Sequence, residues 1–215
     1  MSSNQWQRCT SHLPKTKKSF SLKVIKTKQG QLVLFVVLVF WGCATNIYQE
    51  MAISSPDLLV SLEDSLLQSQ PSSAIISSIV FAHKTLGQEA RDNEKYENAI
   101  GHYSRVLKLS PNDTASIYNT LMIQGHILYR SGKKDKLWDA IQIYNKAAIV
   151  LENLGEPHYY IGKSYHKISD KDFDLIIESY DKALDLGLSP NLRSAAVEAR
   201  KNAILREKKL KDFWK

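Results

Sequence analysis

Only two cysteines occur in the 215 residues, Cys9 and Cys43, and both lie before residue 45. The rest of the chain can hold neither a disulfide framework nor a cysteine-based zinc site. Glycine (9 residues) and proline (6 residues) are sparse, which suits long helices joined by short turns. Residues 1–30 contain no acidic side chain but carry Arg8, Lys15, Lys17, Lys18, Lys23, Lys26 and Lys28. These seven cations equal the formal net charge of +7, so the remaining 22 basic and 22 acidic residues cancel. A nucleic-acid-binding fold would carry its basic excess on the folded part. Here the excess sits in a leader that reads as an address, and no nucleic-acid partner is expected.

Catalytic motifs are missing as well. The six histidines, His12, His83, His102, His126, His158 and His166, form no HExxH or comparable metal spacing. His158 and His166 are two helical turns apart, but no carboxylate or cysteine completes a site; all six read as surface or packing histidines. Ser131-Gly132-Lys133-Lys134 lacks the upstream glycine of a phosphate loop, and no G-x-S-x-G elbow occurs. The adjacent carboxylates Glu63 and Asp64 read as the solvated side of a leucine-striped helix. The expectation is a non-catalytic protein with no metal and no cofactor.

The longest apolar run is LVLFVVLVFWGCA, from Leu32 to Ala44. It has the length of a signal-peptide core and falls short of the roughly 20 residues of a membrane helix, unless Thr45, Asn46, Ile47 and Tyr48 extend it. Two readings follow. Phe40-Trp41-Gly42-Cys43 resembles a bacterial lipobox, in which Cys43 would be acylated; Phe40 and Trp41 depart from the usual residues. The run also fits an uncleaved signal anchor. Positive residues stay on the cytoplasmic side in either case, so everything after about residue 45 is expected to be exported, to the bacterial periplasm or cell surface.

The chain divides into a basic leader (1–30), an apolar signal or membrane segment (31–48), a serine-rich linker with a short helix (49–71), a repeat region (72–190) and a basic C-terminal helix (191–215). In the linker, Ser55, Pro56 and Asp57 read as a helix cap and first turn, followed by a stripe of Leu58, Leu59, Leu62, Leu66 and Leu67.

Three segments of the repeat region align, beginning at Phe81, Asn119 and Glu156. The first places Leu86-Gly87 and Ala90 on one helix, Ala99, Tyr103 and Val106 on the next, and Pro111 at the close. The second repeats this with Gly125, then Ala140, Tyr144 and Ala147. The third has Gly162 and Tyr165, then Ile176, Tyr180 and Ala183, with Pro190 arriving late. The turn at Gly132-Lys133-Lys134-Asp135 reads about three residues too long, and the third turn about two. This spacing resembles the tetratricopeptide repeat family. The resemblance implies an all-α fold: a helix-turn-helix solenoid of about three repeats. Each glycine of a first (A) helix would admit the second (B) helix, and the tyrosine would fill the gap. Ser189-Pro190 would open a capping helix with Leu192, Ala196, Ala199, Ala203 and Leu210 inward and Arg193, Arg200, Lys201, Arg206, Lys208, Lys209 and Lys211 outward.

The family binds proteins, so the resemblance implies a scaffold whose A helices line a concave groove for an extended peptide or protein partner. The positions carried over are Lys84, Gln88 and Arg91, then Asn119, Met122, His126 and Tyr129, then Tyr159, Lys163 and His166. Combined with the leader, this reads as an envelope-anchored interaction module. The alternatives are an accessory subunit of an envelope enzyme, transport or secretion complex, and a cytoplasmic adaptor if the apolar run is no signal.

Overall fold

The computed structural model describes residues 47–169 and 171–214. The chain divides into two units after Gly42, and every described residue belongs to the second, Cys43–Lys215. The basic leader, the apolar run and Cys43 lie outside the described residues. No described helix is long and apolar enough to cross a membrane.

All regular elements among the described residues are helices. A first helix, α1, covers 47–54 and crosses the expected boundary between apolar segment and linker. It is followed by α2 (Pro56–Ser61) and α3 (Glu63–Gln68). The repeat region begins with α4 (Ser73–Asp92) and α5 (Tyr96–Leu109), then α6 (Thr114–Ser131) and α7 (Lys134–Val150), then α8 (Glu156–Ile168) and α9 (Phe173–Asp185). The last helix is α10 (Pro190–Phe213). From α4 onward each helix packs on its successor, and α10 also touches α8. This is the tetratricopeptide-type architecture: three helical hairpins and a closing helix, all-α as expected.

Local chemistry sets the starts. The Ser72 hydroxyl accepts from the Ile75 amide (3.4 Å), so α4 begins eight residues before the aligned segment. Asp113 accepts from the Ser116 amide at 2.8 Å and starts α6; Ser189 does the same for Leu192. Ser55 sits at the start of α2 but makes no side-chain cap: with φ −151° and ψ 62° it lies outside the extended geometry that aims a hydroxyl at the helix amides. The leucine stripe is interrupted too. The helix breaks at Leu62, where α2 gives way to α3. Leu59 is fully buried, Leu66 and Leu67 are partly buried, and Leu58 and Leu62 face solvent.

The stretched turn of the second repeat is absent. Gly132 ends α6 in the left-handed conformation (φ 70°), and α7 starts two residues later. The additional residues lengthen the helices instead. Two other turns meet: the Gly155 amide donates to the Gly187 carbonyl (2.8 Å), and the Gly187 amide donates to the Asn153 carbonyl (3.0 Å). A side-chain carbon on Gly155 would strike the Ala183 carbonyl, so only glycine fits there.

The repeat residues carry the core. Ala99, Tyr103, Ala140, Tyr144, Tyr180 and Ala183 are buried, as is Leu86, while Pro111 is exposed in the turn after α5. Each tyrosine lies against its hairpin's glycine: Tyr103 on Gly87, Tyr144 on Gly125, Tyr180 on Gly162. In α10, Ala196 and Ala203 are buried and Leu192 and Ala199 partly so; Leu210, expected inward, is exposed at the edge of a cavity beside the first turn of α9. Arg200 pairs with Asp181, Lys211 with Glu207, and Arg193 donates to the Leu184 carbonyl (3.1 Å).

One region contradicts its sequence reading. Glu63 is not solvated but 6 % exposed, and it holds α3 onto the first hairpin. Its Oε2 lies 3.0 Å from His83 Nε2, and its Oε1 accepts from Arg105 Nε at 2.7 Å. His83 Nδ1 in turn meets His102 Nδ1 at 3.0 Å. Only Asp64 of the pair faces water.

Candidate functional site: the A-helix face

Helices α4, α6 and α8 contribute all ten expected groove residues, but those residues are not equivalent. On α4, Lys84 donates to both Asp113 oxygens (3.2 and 2.9 Å), and Arg91 Nη1 donates to Asn119 Oδ1 at 2.7 Å. Gln88 donates to Asp92 within the same helix (2.8 Å). Burial opposes ionisation of Asp113, but its bonds to Lys84 and Ser116 outweigh that and hold its carboxyl below the usual range. The cations and amides expected to grip a peptide at this end are therefore engaged within the fold. Met122 is fully buried in the second hairpin's core and is no groove residue.

The middle of the face is an aromatic stack. His126 Nδ1 and the Tyr144 hydroxyl are hydrogen-bonded at 2.9 Å. The His126 ring meets Tyr160 edge-on at 4.4 Å, and Tyr144 stacks on Tyr160 at 5.5 Å. Burial, aided by the Arg91 and Lys163 charges, pushes the His126 imidazole down to about 4. Burial also pushes Tyr160 up to about 12 and Tyr144 higher still. Glu156, partly buried, has its carboxyl raised chiefly by desolvation and accepts from the Tyr118 hydroxyl (3.4 Å). His126 is thus a neutral packing group. Because its folded affinity for protons is below the ordinary value near 6.5, the unfolded chain takes up the proton first, and stability falls as pH drops from about 6.5 toward 4. The loss across that window is expected to be about 2–3 kcal/mol. His126→Asn, which keeps a hydrogen-bonding group beside Tyr144 without a titrating ring, should flatten a plot of melting temperature against pH over that interval. A wild-type curve no steeper than the variant's would refute this.

The α8 end differs. Tyr129, Tyr159, Lys163, His166, Lys167 and Tyr180, with Ala199 of α10, line one cavity of 360 Å³. Lys163 Nζ lies 5.3, 5.5 and 5.4 Å from the Tyr129, Tyr159 and Tyr160 ring centres. Lys167 Nζ lies 4.6 Å from the Tyr129 ring and 3.4 Å from its carbonyl. His166 Nε2 accepts from Arg206 of α10 (2.9 Å). Four expected residues, Tyr129, Tyr159, Lys163 and His166, are therefore brought together. Lys167, Tyr180 and Arg206 complete the place and are not among the groove positions that the repeat register supplies. The spacing of Lys167, one helical turn beyond Lys163, is the sequence signal that points to it. No cluster of metal-ligating side chains occurs among the described residues.

No protein-family model matches this chain, and no curated protein sequence does. Among solved structures 27 chains match. One is described as MamA, residue 41 to the end, from Desulfovibrio magneticus RS-1. It shares 17% identity at a TM-score of 0.41, and the match covers 77% of this chain and 96% of that one.

Proposed function

We propose that this chain is a non-catalytic protein-binding scaffold, and that the α8 end of its A-helix face receives an extended segment of a partner protein. The observation that supports this is the cavity between α6, α8 and α10. Cations and aromatic rings converge there on open space, while the α4 end has already paired its charges internally. Extended peptides need donors for backbone carbonyls and flat apolar surfaces for side chains, and this end offers both. The basic leader and the apolar run that contains Cys43 support a further part of the proposal: the array is tethered to a membrane and exported. Mass spectrometry of the mature N-terminus checks that part, since a diacylglyceryl group on Cys43 is the expected product.

The binding reading is tested by photocrosslinking. A photoreactive amino acid at Tyr129 should yield a defined protein adduct in the native host, identifiable by mass spectrometry. The same group at Lys146, exposed on α7, should yield none. Adducts from position 146 alone would remove the A-helix face from consideration.

A further inference from the structure

The cavity at the α8 end is rich in donors and poor in acceptors. Tyr180 is 1% exposed, lines the cavity, and its hydroxyl has no hydrogen-bond partner among the described residues. The Tyr129 and Tyr159 hydroxyls are likewise unpaired there, and burial holds all three phenols in their protonated, donating form. Among the described residues neither Lys163 nor Lys167 has a carboxylate partner. Lys163 is half-buried, and its only compensation there is the faces of three tyrosines. A cation over rings is stabilised, but a ring face supplies no formal charge. Among the described residues no acidic side chain lines the cavity. Lys84 on α4 shows the contrast, since the fold supplies it with Asp113. Two ammonium groups and three phenolic donors around one opening leave a single gap in the pattern, which is negative charge.

We infer that the Lys163–Lys167 cavity is an anion pocket that takes the carboxylate of an acidic side chain from the bound partner segment. Lys163 and Lys167 supply the opposing charge, the Tyr180 hydroxyl donates from the cavity's buried wall, and Tyr129 and Tyr159 flank the aliphatic stem. This rests on the scaffold reading and names its specificity: partners carrying glutamate or aspartate at the position that reaches α8.

The test uses the full chain and a fluorescein-labelled dodecapeptide, amidated at its C-terminus, with four glutamates separated by glycine and serine. Its twins carry glutamine or phosphoserine at the same positions. Fluorescence anisotropy should show the glutamate peptide binding about tenfold or more tightly than the glutamine twin, and more weakly as salt rises. Lys163→Met and Lys167→Met, which keep the apolar stems, should each weaken it about tenfold, and Tyr180→Phe about threefold. Lys201→Met and Lys209→Met, equal charge changes on the exposed side of α10, should leave it unchanged. Melting curves confirm that each variant is folded.

Equal affinity for the glutamate and glutamine peptides would overturn the inference. So would losses in the α10 variants matching those at Lys163 and Lys167, because the attraction would then be diffuse. Phosphoserine binding with the glutamate peptide at the glutamine level would replace carboxylate by phosphate and overturn it too. If these results go against the pocket while crosslinking at Tyr129 still captures a partner, the scaffold reading stands and only the carboxylate assignment falls.

Discussion

Replacing Glu63 by alanine should destabilise the chain by about 3 kcal/mol, and the loss should appear first at its N-terminal end. The carboxylate is bonded at both oxygens, to His83 at 3.0 Å and Arg105 at 2.7 Å. Its removal leaves His83, which is 4% exposed, with an unanswered Nε2 proton, and leaves the Arg105 guanidinium, whose side chain is 30% exposed, with only the solvent-facing Asp64 at 3.5 Å. Removing one member of a fully buried pair costs about 3–5 kcal/mol; the partial exposure of Arg105 places this case at the lower end. The packing of Leu59, fully buried against the first hairpin, depends on α3 staying in place. Glu63→Gln should cost less. It keeps an acceptor for one neighbour but presents an amide to the other. Urea unfolding gives the magnitudes, and hydrogen exchange locates the loss in α1 to α3. A Glu63→Ala variant within 0.5 kcal/mol of wild type, taken as about the size of an ordinary surface substitution, would show that the contact contributes nothing.

The second large effect is expected at Gly125, and Gly87 is its control. Both glycines face a tyrosine from the partner helix. A methyl at Gly87 would stand 3.1 Å from Tyr103, whereas one at Gly125 would overlap the Tyr144 ring, with even its Cζ at 2.8 Å. The difference lies in what holds each ring. Among the described residues Tyr103 has no hydrogen-bond partner for its hydroxyl, and its ring can shift by a few tenths of an ångström. Tyr144 is pinned by His126 and by the Tyr160 ring. Alanine also favours a helix interior over glycine by about 1 kcal/mol, which offsets the mild crowding at Gly87. Gly87→Ala should therefore fall within about 1 kcal/mol of neutral, and Gly125→Ala should cost about 3 kcal/mol, near the upper end for overpacking. For a domain of this size that is a drop in melting temperature of roughly 6–12 °C. Equal melting temperatures for the two variants would disprove the distinction.

These glycine–tyrosine pairs also show which features are legible in the sequence. The recurrence of glycine on one helix, and of tyrosine between two smaller apolar residues on the next, is a local pattern, and it locates all three hairpins and their cores. Features set by distant contacts are hidden from it. Glu63 reads as solvated because a leucine stripe assigns faces within one helix. Its actual partners stand 20 and 42 residues away. Lys84 and Arg91 read as available because their acceptors lie 29 and 28 residues off. The glycine-lysine turn reads as too long because repeat alignment counts residues, while helices can lengthen by a turn without disturbing the register of the packed face. At the candidate site Tyr129 of α6 and Tyr159, Lys163 and His166 of α8 are visible from family register, but the cavity depends on α10 folding back beside α8. No repeat position encodes that.

The seam between the turns at Asn153–Gly155 and Gly187 has a topological consequence. A stack of hairpins ordinarily frays from its last unit, since that unit has one neighbour instead of two. Here the chain entering α8 is bonded to the chain leaving α9, so the third hairpin is a closed loop whose ends secure each other. Peeling from this end must stop at the seam after releasing α10. The anion pocket, with its walls on α6, α8, α9 and α10, straddles that stopping point. Loss of α10 would unroof the pocket while leaving its lysines on a folded, clasped support.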